Sequence, residues 1–381
     1  MANNLQRISM LLVGVIISCV SALSFAQKVD ITKEKTKVTV GADVWTFKSL
    51  ENDTEYKLMV SIPDGYSADS EKKYPVLYVL DAQWDYVNMV SCFGNSHYDG
   101  FIPGIVIVGI SYAGDNPDYS ALRAYDMGPI NWDKGPKSGG AKDFINVIRN
   151  EIFPFVENEY NVDPNDRGIS GHSFGGIFTL YTLFKEPDMF NKYISINPAL
   201  FWGDSLLFDI EQEYAEKNNS LDAKLYMSMS QYDWVAVFNG MLDNISSRGY
   251  KGLDLESRIN DGLAHSTNKS EAFVRGLHFI YKKEVVEMPE VELLKYVGSY
   301  KVENEGYFLS KPVKIRIEKG HLVISNIWGM PDTELYGLKN GGFSWLKTHN
   351  KFEFTLNDNG EVLGMTMGLN RDYVLTAVKV D

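Results

Sequence analysis

From Val44 to about Tyr281 the chain alternates short apolar runs with amphipathic stretches, and that alternation leaves few architectures open. Residues 44–49 and 56–62 alternate apolar and polar side chains, as strands with one solvated face do. Residues 76–80 and 105–110 are almost continuously apolar, which a strand tolerates only when it is buried on both faces. Further strands fit residues 167–170, 193–196, 224–230 and 255–259. Between them Phe144, Ile148, Ile152 and Val156 recur every four residues, predicting a helix over 141–159 with one apolar stripe on the sheet. The fold class that follows is α/β, with a mostly parallel central sheet and flanking helices. In such a sheet, ligands gather at the C-terminal ends of the strands.

The pattern changes after Glu287. Only strand-like segments and tight turns follow: residues 313–317 and 322–324 read as a hairpin across Glu318-Lys319-Gly320. Asn340-Gly341-Gly342 and Asn357-Asp358-Asn359-Gly360 separate later strands. The expected division is therefore an α/β domain at 38–287 and a small antiparallel β domain at 288–381. The first 26 residues read as a secretory signal: Arg7, an apolar stretch from Met10 to Val20, then Ser24-Phe25-Ala26. That stretch is shorter than the roughly 20 residues needed to span a bilayer, so cleavage and a periplasmic or secreted product are expected, without stable membrane insertion. Cys19 lacks the small residue a lipobox needs two places earlier. Only Cys92 would then remain, too few for an internal disulfide.

A formal net charge of −13 argues against nucleic acid as a partner, because phosphate binding needs clustered Lys and Arg. Metal and cofactor chemistry find no support: H-E-x-x-H, paired-cysteine ligands, a calcium loop and an early G-x-G-x-x-G are all missing from the sequence. What the chain does carry is Gly171-His172-Ser173-Phe174-Gly175-Gly176, directly after the strand at 167–170 and before a helical run at 177–184. Strand, sharp turn and helix form the setting of a nucleophile elbow, with Ser173 raised above the sheet. Gly171 and Gly175 leave room for the strained turn, and Gly176 lets the helix approach.

A serine hydroxyl needs a base, and the base needs an orienting acid; in this architecture both follow the serine in chain order. His265 lies on a polar loop beyond the last strand of the sheet. His278 falls in an amphipathic helix, His321 and His349 in the β domain, and His97 and His172 precede the serine. For the acid, Asp233 lies just past the strand at 224–230; Asp243 competes, but the spacing of Val237, Met241 and Ile245 turns it to solvent. The oxyanion donors would be the N–H of Phe174 and that of Ala82 or Gln83, in the loop Asp81-Ala82-Gln83-Trp84; the alternative is a plain surface turn with a packed Trp84.

With Tyr74-Pro-Val-Leu-Tyr-Val-Leu-Asp81, Arg123 with Asp126, Ile152-Phe-Pro-Phe-Val156 and Asn197-Pro-Ala-Leu-Phe-Trp202, the elbow resembles the putative-esterase family of α/β hydrolases. That family includes enterochelin and bacillibactin esterases, S-formylglutathione hydrolases, feruloyl and acetylxylan esterases and mycolyltransferases. The resemblance covers residues 38–284 and implies a lidless or lightly covered serine esterase with Ser173, Asp233 and His265 as its triad. It departs at Asp81-Ala82, where the family often has Asp-Gly. Arg123 matches an arginine near the pocket of siderophore-cleaving members, so Arg123 and Trp84 are candidate substrate contacts; the alternative for Arg123 is a pair with Asp126. The C-terminal region resembles small β-barrels appended to secreted hydrolases.

The expected function is an exported carboxylic-ester hydrolase using an acyl-enzyme on Ser173 and no cofactor. Its substrate would be a small-molecule or glycan-linked ester: a siderophore, a feruloyl or acetyl ester, or a short acyl ester. An acyltransferase of the same fold and a non-catalytic binding protein are the alternatives. Substrate and oligomeric state stay open.

Overall fold

In the computed structural model, the described residues are 41–303, 312–327, 330–339 and 341–380. The export segment at 1–26 and Cys19 lie outside them. Two antiparallel strands, β1 (Asp43–Lys48) and β2 (Glu55–Ser61), open the chain. Then come β3 (Tyr74–Val79), β4 (Val106–Tyr112), β5 (Val162–His172), β6 (Lys192–Ile196), β7 (Ser220–Ser230) and β8 (Lys251–Asn260). They join in the order β1-β2-β4-β3-β5-β6-β7-β8, and every pairing from β4 to β8 is parallel. All seven residues of β4 are buried, as a strand covered on both faces requires.

The helices pack on both faces. They include α1 (Ala82–Tyr98), α2 (Tyr119–Met127), α3 (Ala141–Val147), α4 (Phe153–Glu159) and α5 (Phe174–Lys185). Further along lie α6 (Trp202–Ala215), α7 (Val235–Arg248) and α8 (Lys269–Ile280). Between α3 and α4 the chain makes one π-helical turn, Ile148–Ile152. A reason lies in the spacing of the stripe. Phe144, Ile148, Ile152 and Val156 are all fully buried, yet a four-residue repeat overshoots the α-helical turn by about 0.4 residue each time. Over three repeats that drift amounts to about one residue, and one π-turn absorbs it.

Beyond α8, β9 (Val285–Val286) pairs with β13 (Thr333–Leu338). Strands β10 (Gly298–Val302), β11 (Val313–Glu318), β12 (His321–Ser325), β13, β14 (Phe343–Trp345), β15 (Phe352–Leu356), β16 (Val362–Gly368) and β17 (Val374–Lys379) run antiparallel, and the β12–β13 pairing closes them into an eight-stranded barrel. The β11–β12 hairpin turns on Lys319 and Gly320, both with positive φ (51° and 82°), as a two-residue turn of this hand demands. Along β17, Leu375 and Ala377 point inward while Val374, Thr376 and Val378 face out. The barrel has its own core, built on Tyr300, Ile315, Leu322, Phe352 and Met367.

The barrel docks where α1 and α8 end. Asn350 Nδ2 donates to the Asp99 carbonyl (3.0 Å), His349 Nε2–H to the Tyr281 carbonyl (2.9 Å), and the Arg371 backbone N–H to the Tyr98 carbonyl (2.9 Å). Gly100 has φ 72°, and a Cβ there would lie 2.0 Å from Asn350 Oδ1. Both helices begin at the opposite edge of the sheet, so the barrel sits away from the strand ends that carry the elbow. Replacing the buried Asn350 by Ala is expected to lower stability by about 1 kcal/mol, the worth of an ordinary hydrogen bond. Urea unfolding measures it; an unchanged midpoint would show that this contact contributes nothing.

Candidate active site

Ser173 joins the end of β5 to the start of α5 with φ 62° and ψ −112°, a backbone conformation that costs a non-glycine residue energy and clusters at functional sites. The chain around it leaves no other path. A Cβ on Gly171 would lie 2.2 Å from the Gly175 carbonyl oxygen, and one on Gly176 would lie 2.9 Å from the Ile196 carbonyl oxygen. Gly175 is less constrained than the sequence suggests, its nearest neighbour being Leu80 Cβ at 3.4 Å.

Asp233 and His265 come together beside this turn. His265 Nδ1 donates to Asp233 Oδ2 at 2.5 Å, with the carboxylate almost buried and the imidazole about one-third exposed. That bond places the proton on Nδ1 and leaves Nε2 with a free lone pair. The His265 ring lies 4.5 Å from that of His172, the residue before Ser173. Among the described residues no hydrogen bond joins the Ser173 hydroxyl to the imidazole; such contacts often tighten only when substrate is bound. Asp243 is exposed on α7.

His172, set aside by chain order, is a prop. Its Nε2–H donates to the His265 backbone carbonyl (2.8 Å), and burial, with Lys269 and His265 nearby, pushes its pKa down to about 3. His278 instead meets Ser96 Oγ (3.0 Å).

Asp81-Ala82-Gln83-Trp84 is not an isolated loop: Ala82 begins the 17-residue helix α1, and Asp81 precedes it in a left-handed conformation (φ 53°). Ala82, Gln83 and Phe174 thus occupy first helical turns, where N–H groups lack intrahelical partners. Gln83 is also tied through its side chain, which accepts from Ser111 Oγ (2.9 Å) and donates to Asp81 (3.2 Å). Trp84 is half exposed, edge-on to Tyr119.

The pair between Arg123 and Asp126 does not form. Arg123 Nε and Nη2 clamp both oxygens of buried Asp81 (2.7 and 2.6 Å), and Nη2 also reaches the His172 carbonyl (3.3 Å). Asp126 turns inward instead, where Tyr56 donates to it at 2.7 Å and burial lifts its pKa to about 6. The guanidinium lies near the rings of Trp84 and Phe174, stitching the start of α1 to the elbow. Aromatic rings crowd the same edge: Phe174 packs on Trp202 (4.6 Å), Trp202 on Trp132 (4.8 Å), and Phe201 on Trp234 (4.4 Å), which stands 6.3 Å from His265.

This order of strands, with a serine elbow after the fifth, a carboxylate past the seventh and an imidazole past the eighth, is that of the α/β hydrolases. The family model described as "Putative esterase" matches residues 49–266, and the chain belongs to that family. Among curated relatives, ferri-bacillibactin esterase BesA of Bacillus subtilis is 29% identical over 195 residues, 47% of this chain and 66% of BesA. Siderophore enterobactin esterase of Emericella nidulans is 31% identical over 114 residues, 26% of this chain and 38% of the relative. The chain therefore spans less than two thirds of these relatives' own length. In fold it is similar to the BES protein from Bacillus cereus (TM-score 0.59, 23% identity, 66% of this chain and 99% of that one). Siderophore hydrolase EstA from Aspergillus nidulans gives TM-score 0.57 at 20% identity, covering 66% of this chain and 97% of that one.

Two expected outcomes follow from this geometry. Gly171→Ala forces a Cβ into the Gly175 carbonyl and should lower stability by about 3 kcal/mol in thermal or urea unfolding; a variant as stable as the wild type would contradict the close approach. Between pH 6.5 and 3 the unfolded chain binds a proton that folded His172 refuses, so this group's stabilisation is lost as pH falls, by up to about 1.4 kcal/mol per unit. Asp126 and Asp85, both raised to about 6 chiefly by burial, act in the opposite sense as pH falls from 6 to 4. The difference between wild type and His172→Gln isolates the histidine; a difference independent of pH would contradict its burial in neutral form.

Proposed function

We propose that the protein is an exported serine carboxylic-ester hydrolase working through an acyl-enzyme on Ser173. The observation that carries this reading is the His265–Asp233 hydrogen bond at the rim of a strained serine turn. Ser173 Oγ attacks the ester carbonyl carbon and passes its proton to His265 Nε2, while Asp233 holds the Nδ1–H and stabilises the imidazolium. The oxyanion takes the N–H of Phe174 and that of Ala82 or Gln83. His265 then protonates the departing alcohol and the acyl group stays on Ser173; a water deprotonated by His265 attacks the acyl carbon, and Ser173 Oγ leaves with the proton from His265 as the acid is released.

Export rests on the character of residues 1–26, and no described helix is long and apolar enough to cross a membrane. We assign catalysis to residues 38–287 and an accessory role to 288–381. The rings of Phe174, Trp202, Trp132, Phe201 and Trp234 favour an ester whose acyl part carries an aromatic ring, a catecholate siderophore lactone or a feruloyl ester, over a short aliphatic one. Relatives named as siderophore esterases support the first of these. Arg123, neutralised by Asp81, belongs to the scaffold of the oxyanion loop in this reading.

A fluorophosphonate probe should label the wild type and not Ser173→Ala, and Asp233→Asn should lower kcat on the order of 10⁴-fold. Labelling that survives in Ser173→Ala would remove Ser173 from the mechanism. Turnover of p-nitrophenyl acetate exceeding that of a catecholate lactone and of a feruloyl ester in kcat/KM would reject the aromatic preference.

A further inference from the structure

We infer that Asn197 is the residue that positions the acid, through a relay of buried carboxamides that also ties down both stems of the His265 loop. The inference rests on the hydrolase reading above. Asn197 directly follows β6 at the start of Asn197-Pro-Ala-Leu-Phe-Trp202, and the mechanism assigns this residue no chemistry.

Its backbone has φ 42°, a left-handed conformation that asparagine tolerates better than most residues. The side chain, fully buried, has every group engaged. Nδ2 donates to Asp233 Oδ2 (2.7 Å) and to Ser230 Oγ (2.7 Å), and Oδ1 accepts from Asn268 Nδ2. Asn268 Oδ1 in turn accepts from Asn260 Nδ2 (2.5 Å). These two residues, also buried, bracket the loop that carries His265: Asn260 closes β8 and Asn268 precedes α8.

The relay has one direction. Because Asn268 donates to Asn197 Oδ1, the Asn197 amide cannot flip without turning its carbonyl on the Asp233 carboxylate and its NH₂ on that of Asn268. The N–H is thereby held on Oδ2, the oxygen that also receives His265 Nδ1–H. A carboxylate with two fixed donors on one oxygen keeps one orientation, and the imidazole tautomer follows from it. Asn197 touches no reacting atom, so its effect should fall on kcat rather than on KM.

The test uses the full mature chain and steady-state hydrolysis of a p-nitrophenyl ester. Asn197→Gly keeps the left-handed backbone and deletes the amide; it should lower kcat about 10- to 100-fold with KM within about twofold, less than loss of the acid itself. Asn197→Asp is isosteric. The introduced carboxyl, when protonated, donates to Asp233 as the amide does, but two carboxylates this close cannot both ionise at ordinary cost. Its kcat should be nearest to wild type at low pH and fall as pH rises, giving an alkaline limb that the wild type lacks. A kcat for Asn197→Gly within twofold of wild type, a loss confined to KM, or an Asn197→Asp profile parallel to the wild type would each overturn the inference. If Asn197→Gly does not fold by circular dichroism, the profile of Asn197→Asp decides. Failure of the hydrolase reading is distinct: there the wild type itself would escape fluorophosphonate labelling at Ser173.

Discussion

The carbonyl of Gly175 occupies the space that a side chain on residue 171 would need, and the geometry of the sheet edge that carries Ser173 depends on that contact. It lets β5 turn into α5 within one residue, which drives Ser173 to φ 62° and lifts its hydroxyl off the sheet. The same turn carries His172 under the His265 loop, where its ring nitrogen holds the His265 carbonyl. A wider turn would separate these groups even with every side chain retained.

Around that turn, the buried carboxylates are paired. Asp81 meets Arg123 in a two-pronged ion pair, Asp85 meets Lys269 at 2.5 Å, and Asp233 is held by a histidine and an amide. Charges taken out of water are tolerable only with such partners. The partners join separate elements: α1 to α2, α1 to α8, β6 to the loops after β7 and β8. The site is thus braced by links whose loss would be felt in geometry before it was felt in folding.

Legibility in the sequence follows how local the controlling interaction is. Doubly buried strands such as β4 and the stripe of α3 and α4 are written in the apolar pattern itself, and so are the strand and helix flanking Ser173. Helix α1 is masked because its buried face includes Asp85 and Ser96, polar residues satisfied by Lys269 and His278 from α8. Arg123 looks toward Asp126, three residues on along the same helix, while its real partner is Asp81, distant in sequence; the helix turns Asp126 toward Tyr56 instead. Asn197 is harder still. Its partners stand 36 and 71 residues away, and nothing in the local pattern separates a structural asparagine from one that steers a carboxylate.

The docking of the barrel on the far ends of α1 and α8 carries one last implication. Helices of 17 and 12 residues span about 25 and 18 Å, so these two act as struts that hold the appended domain off from the strand ends that carry Ser173. A load fastened to the outer wall of the barrel therefore hangs one helix length from Ser173 rather than over it.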